Sequence, residues 1–139
     1  MTPEQVQKRW NGYDDAQRNA WVAVSVMGWK VRGVQTRMGY IREYRKPDQQ
    51  RESDWIQGIP EFTTDHNHAH EALATTLAYG GFHCKIETGA ACGVVESTIA
   101  ISHHHGFYYK SPVVPFDTAP AAISLACLMA RECKESTDD

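Results

Sequence analysis

No stretch of this 139-residue chain is both long and apolar enough to span a bilayer, because charged or polar residues interrupt every hydrophobic run, so no membrane role is expected. A basic overall charge is lacking too. The net charge of -3 speaks against a general binder of long nucleic acid, which is normally basic. The four cysteines, Cys84, Cys92, Cys127 and Cys133, contain no CxxC pair, and no secretory pattern precedes them. Cys127 lies in an apolar helical run, where a cysteine behaves as a small hydrophobe. The expectation is a cytosolic protein with reduced thiols. Catalytic signatures are equally sparse. There is no HExxH, and Asp65 precedes the histidines, so the HxHxDH order of metallo-hydrolases is not reproduced. No nucleophile elbow surrounds a serine, and no histidine heads an H-x-Ser/Thr motif. His83 and Cys84 are adjacent on an expected strand and so point to opposite faces. Gly80-Gly81 stands between a helix and a strand, the reverse of the order that cradles phosphate.

What is present is enough for one core: 42% hydrophobic residues, 10% aromatic, in a length too short for two ordinary domains. Charge is unevenly spread. Residues 30 to 51 carry seven basic side chains (Lys30, Arg32, Arg37, Arg42, Arg45, Lys46, Arg51) against Glu43 and Asp48, a local +5, whereas everything after Pro60 is acidic by six. Such a segment either attracts a local anion or is an ordinary solvated loop.

PEQVQKRW at residues 3–10 reads as a short helix with Pro3 in its first turn, broken by Asn11-Gly12. Asp14 or Asp15 caps a second helix through Met27, with Ala16, Ala20, Trp21, Val24 and Met27 at helical spacing and Gly28 as its stop. Trp29 to Met38 and YIREYR read as strands, followed by the polar loop KPDQQRESD. Thr63-Thr64-Asp65 caps a helix over about 65–79 that carries Ala69, Ala72, Leu73 and Thr76. Phe82, Cys84 and Ile86 alternate with His83, Lys85 and Glu87 in a half-buried strand. Val95, Ser97, Ile99, Ile101, His103 and His105 share one face of the next strand, FYYK forms another short one, and a last helix begins with caps at Asp117-Thr118 and with Pro120 in its first turn. The order is helix, two strands, helix, two or three strands, helix, which an α+β sandwich around one mostly antiparallel sheet satisfies.

Three segments carry a family resemblance. Val26-Met27-Gly28-Trp29-Lys30, Ile59-Pro60-Glu61-Phe62-Thr63-Thr64-Asp65 and Asp117-Thr118-Ala119-Pro120-Ala121-Ala122-Ile123 are similar, in order and spacing, to motifs of the phage ABA sandwich domains. The similarity covers roughly residues 14 to 131. It implies an αβα sandwich over residues 14–133, with 1–13 as an N-terminal helical extension and 134–139 as a polar tail, encoded by phage or prophage and acting in the cytoplasm of the bacterial host. It implies no chemistry. The shared residues read as structure: Gly28 a stop, Trp29 core, Thr64, Asp65, Thr118 and Pro120 helix starts. His66, Asn67 and His68 depart from the small or apolar residues that follow the capping aspartate in that family.

Those histidines therefore have to be weighed as chemistry. In a helix His66 and His70 are neighbours at i, i+4, a two-ligand geometry for zinc, while His68 turns away. A third ligand could come from His103 or His105, with Glu71 as the local general base. The alternative is a solvated or ligand-contacting set at an anion-friendly helix start. Tyr40, Tyr44, Phe107, Tyr108 and Tyr109 lie on short strands, and those beside Arg42 and Arg45 combine stacking with phosphate contact, unless they simply fill one sheet face. The expected ligand-binding set is Tyr40, Arg42, Tyr44, Arg45, His66, His70, His103 and His105. His66, His70 and His103 form the candidate metal set, and no cofactor is expected beyond zinc. The leading expectation is a non-enzymatic phage accessory protein that sequesters a small anionic ligand such as a nucleotide signal. An inhibitor of a host or defence protein and a metal-dependent hydrolase are the alternatives, and self-association is left open.

Overall fold

The computed structural model describes residues 1–104 and 106–133, the Ala91 side chain apart. His105 and the tail expected at 134–139 lie outside the described residues. Two capping boxes open the chain. Thr2 Oγ1 accepts from the Gln5 amide while the Gln5 side chain accepts from the Thr2 amide, starting α1 (Pro3–Asn11). Asp14 and Gln17 repeat the arrangement for α2 (Asp15–Ser25). The chain leaves α2 through Gly28 at φ +74°, where the left-handed turn lets the Trp29 amide bond back to the Ala23 carbonyl.

β1 (Lys30–Thr36) and β2 (Gly39–Arg45) form an antiparallel hairpin. A separate four-stranded antiparallel sheet holds β3 (Phe82–Ala91), β4 (Val94–His103), β5 (Tyr108–Lys110) and β6 (Val114–Pro115), with β4 paired on one side to β3 and on the other to β5 and β6. The fold is thus mixed α+β with four helices and two antiparallel sheets, where one sheet was expected. After β2, Tyr44 and Ile56 exchange backbone hydrogen bonds at 2.6 and 2.8 Å, so the returning chain lies beside β2 at that point as an isolated bridge. Arg32 anchors the same loop through Glu52 at 2.7 Å and lies over Trp55.

α3 (His66–Ala78) and α4 (Ala119–Cys133) pack on each other and on one face of the four-stranded sheet, while α1 and α2 also pack on α4. α4 is accordingly apolar nearly all round, with Ile123, Ala126, Cys127, Leu128 and Ala130 at 1% exposure or less. A 3-10 turn at Phe116–Thr118 leads into it, and the Thr118 hydroxyl donates to the Pro115 carbonyl. Two buried hydrogen bonds tie the approach to α3 to its neighbours. Asn19 Oδ1 accepts from both the amide and the hydroxyl of Thr63, and Ser124 Oγ donates to the Phe62 carbonyl at 2.7 Å.

Candidate functional site

Alternation along β4 sends Ser97, Ile99 and Ile101 into the core under α4. The residues between them, Thr98, Ala100 and Ser102, face the opposite side, which no helix covers among the described residues. All three are small, whereas the strands on either side bring long side chains. The register sets out two rows across the sheet: His83, Ser102, Tyr108 and then Lys85, Ala100, Lys110, with Glu87 opposite Thr98 beyond them. A trough of about 380 Å³ results, floored by the central strand and walled by β3 and β5. Strand spacing puts the two rings of the first row about 10 Å apart at the backbone, and the lysine row lies about 7 Å further along.

The charges in the trough interact. Lys85 Nζ contacts Glu87 Oε1 at 2.8 Å. That hydrogen bond holds the lysine above its ordinary value and the carboxylate below its own, with the Tyr108 phenol adding a smaller push on Lys85 and Lys110 a smaller pull on Glu87. Lys110 forms no ion pair among the described residues. Tyr108 is 62% exposed, so its ring is available to a visitor. Two lysines, one carboxylate, two rings and two hydroxyls can hold an anion beside a flat ring. Within the core, burial pushes the Cys127 thiol up to about 12, against a smaller lowering by the Thr76 hydroxyl.

The hairpin residues expected to bind ligand divide between its two faces. Tyr40, Arg42 and Tyr44 point one way and Arg45 the other, by the period of two. Arg45 lies over Trp55 at 4.5 Å, on the face that also holds the Arg32–Glu43 ion pair. Tyr40 covers Gly33, where any Cβ would collide with its ring. Tyr44 is only 7% exposed. Arg42 and Tyr44 line a groove of about 320 Å³ against α1 and α2, together with Arg9, Tyr13, Trp21 and Glu132. The Arg9 guanidinium is already engaged there, donating to Tyr13 Oη at 2.7 Å and lying 4.7 Å from the Trp21 ring.

The histidines are likewise separated. Asp65 caps α3 by accepting from the Asn67 and His68 amides, the structural role expected of it. His66 stacks on Phe116 at 4.4 Å, whereas His70 Nδ1 donates to the His66 carbonyl at 2.9 Å. The helical i, i+4 relation therefore joins ring to backbone and not ring to ring. His103 packs against Phe82 and stacks with His104 at the far end of β4. Among the described residues no three histidine, cysteine or carboxylate side chains gather to hold a metal ion, so His66, His70 and His103 are not brought together. His105, the remaining member of the expected set, lies outside the described residues.

Sequence reasoning missed His83, Lys85, Tyr108 and Lys110 as a group. Alternation in β3 put His83, Lys85 and Glu87 on one face, but only strand pairing sets them opposite the small residues of β4 and beside β5. No protein-family model, curated protein or solved structure matches the chain.

Proposed function

We propose that the protein works by binding a small anionic ligand of nucleotide type in the trough on the open face of the β3–β6 sheet. The observation that carries this reading is the pairing of two rows: a ring on each side of Ser102, and a lysine on each side of Ala100. A planar base fits the first row by stacking, and a phosphate fits the second through charge-assisted hydrogen bonds. The separation between the rows matches that between the base and phosphate of a mononucleotide. The trough's size is at the small end of ligand pockets, which suits one nucleotide rather than a strand.

The resemblance to phage ABA sandwich domains supplies a setting: a phage-encoded accessory protein with an αβα sandwich fold, sequestering a nucleotide immune signal in the host cytoplasm. Calorimetry with a panel of linear and cyclic nucleotides tests the binding reading, with Tyr108→Ala and Lys110→Met as controls. Heat that both substitutions weaken is the expected result; a flat titration across the panel rules the reading out.

A second reading, an inhibitor that docks on a host or defence protein, rests on the hairpin. Lys30, Arg37, Arg42 and Arg51 make no ion pair among the described residues, and the hairpin packs chiefly on itself. Retrieval of a stoichiometric partner from host lysate, lost on Arg37→Glu/Arg42→Glu, is its test. A hydrolase using His66, His70 and His103 finds no comparable support in their placement, and metal analysis of untagged protein is the direct check on it.

A further inference from the structure

Strand β3 is ten residues long, pairs with β4 in unbroken register from Phe82 to Ala91, and has no other strand beside it among the described residues. Native edge strands are normally short, bulged, proline-bearing, charged or covered, because an open edge is a template for another strand. Among the described residues the one such protection of β3 is the pair of charges at Lys85 and Glu87, which are of opposite sign. Which of its backbone groups face outward follows from β4. The Ile99 carbonyl accepts from the Ser111 amide at 2.8 Å, and the Ile99 amide donates to Ser111 Oγ at 2.9 Å, so the backbone of Ile99 is turned away from β3. Antiparallel pairs alternate between hydrogen-bonded and non-bonded. Ile86, opposite Ile99, is therefore also turned away from β4, and the same holds for Cys84, Thr88 and Ala90. Their amides and carbonyls have no hydrogen-bond partner among the described residues.

We infer that this edge pairs with a second copy of the chain, β3 to β3 antiparallel, with the two-fold axis at Ile86. Charge selects the register. With Ile86 opposite itself, Lys85 faces the partner subunit's Glu87, and Glu87 faces the partner subunit's Lys85. Centring one residue earlier or later sets lysine against lysine or glutamate against glutamate. The pair at 85 and 87 falls at a non-bonded position, where facing side chains are closest, and oppositely charged pairs there stabilise a sheet. Ile86, 37% exposed in the single chain, meets its symmetry mate at the axis on the helix-covered side. The sheet becomes eight-stranded and isologous. His83 then faces the partner subunit's Gly89, which has no side chain to block the trough. The inference does not depend on what the trough binds.

Sedimentation of the full chain at about 100 μM, a concentration that populates even weak dimers, tests it. The wild type is expected as a dimer. Lys85→Glu should weaken association at least tenfold, and Lys85→Glu/Glu87→Lys should restore it. Ile86→Pro removes an amide that β4 does not use, and should give a folded monomer. Hydrogen exchange should slow with concentration at Cys84, Ile86 and Thr88, and not at His83, Lys85 and Glu87. A monomeric wild type, a dimer indifferent to Lys85→Glu, or a double variant no better than the single one overturns the inference.

Discussion

Replacing Lys110 by methionine keeps most of the aliphatic stem against Ala100 and deletes one charge from the trough. Two unit charges 4 Å apart interact by about 1 kcal/mol in water and about 4 kcal/mol at an effective dielectric of 20. The trough is open on one side, and Lys110 sits on an exposed strand with no ion pair among the described residues to desolvate it, so the lower part of that range applies. About 1.5 kcal/mol is reasonable, which is roughly a tenfold loss of affinity for a nucleoside monophosphate. The companion change is Glu87→Gln. It removes the one carboxylate in the trough and frees Lys85 from its 2.8 Å contact, so affinity should rise several-fold. Both effects should shrink as ionic strength rises. Titration calorimetry at low and moderate salt reads both variants on one scale. The reasoning is refuted if the two substitutions move affinity in the same direction, or if neither changes it while the nucleotide still binds.

Other outcomes follow from the core. The folded chain holds the Cys127 proton more tightly than the unfolded chain, whose thiol has the ordinary value of 9.0, because burial opposes the thiolate. The stabilisation is complete below about pH 9 and drains away as pH rises towards 12, with an upper bound of about 4 kcal/mol. Cys84, Cys133 and Tyr109, also raised by burial, act in the same sense. Urea unfolding from pH 8 to 11 should show this decline, and Cys127→Ala should flatten it; equal slopes in the two proteins would count against the assignment. Asn19→Ala strips the acceptor from two buried donors of Thr63 and should cost about 2–4 kcal/mol in denaturant unfolding. Gly81→Ala places a Cβ at φ +80° and within 2.6 Å of the His103 and His104 rings, so a drop of about 1–2 kcal/mol is expected, and an unchanged midpoint would show that the strain is relieved elsewhere.

Local interactions were readable from the chain because they act over a few residues. Asp14, Gly28 and Asp65 announced helix ends by capping and left-handed geometry, and the alternation from Phe82 to Glu87 announced a strand with two different faces. The fully apolar stripe in α4 likewise marked its burial. The residues of the expected binding set lie on several separate surfaces. Arg42 and Arg45 are three apart, and on a strand that spacing sends them to opposite faces. His66 and His70 are one helical turn apart, yet one ring lies on Phe116 and the other bonds to backbone.

By itself, then, the sequence determined the helices, the longer strands and which residues of each of those strands share a face, all set by backbone sterics and the burial of apolar side chains. Tertiary structure alone decided the rest. The hairpin β1–β2 stays apart from the four-stranded sheet, and the loop after it returns to Tyr44 by a backbone bridge between residues twelve positions apart that no side-chain pattern encodes. Strand register brings His83 beside Tyr108 and Lys85 beside Lys110 across small residues of β4, through hydrogen bonds of the main chain, which are the same for every residue type. Which residues meet across a sheet is a property of pairing, and pairing is settled only when the whole core closes.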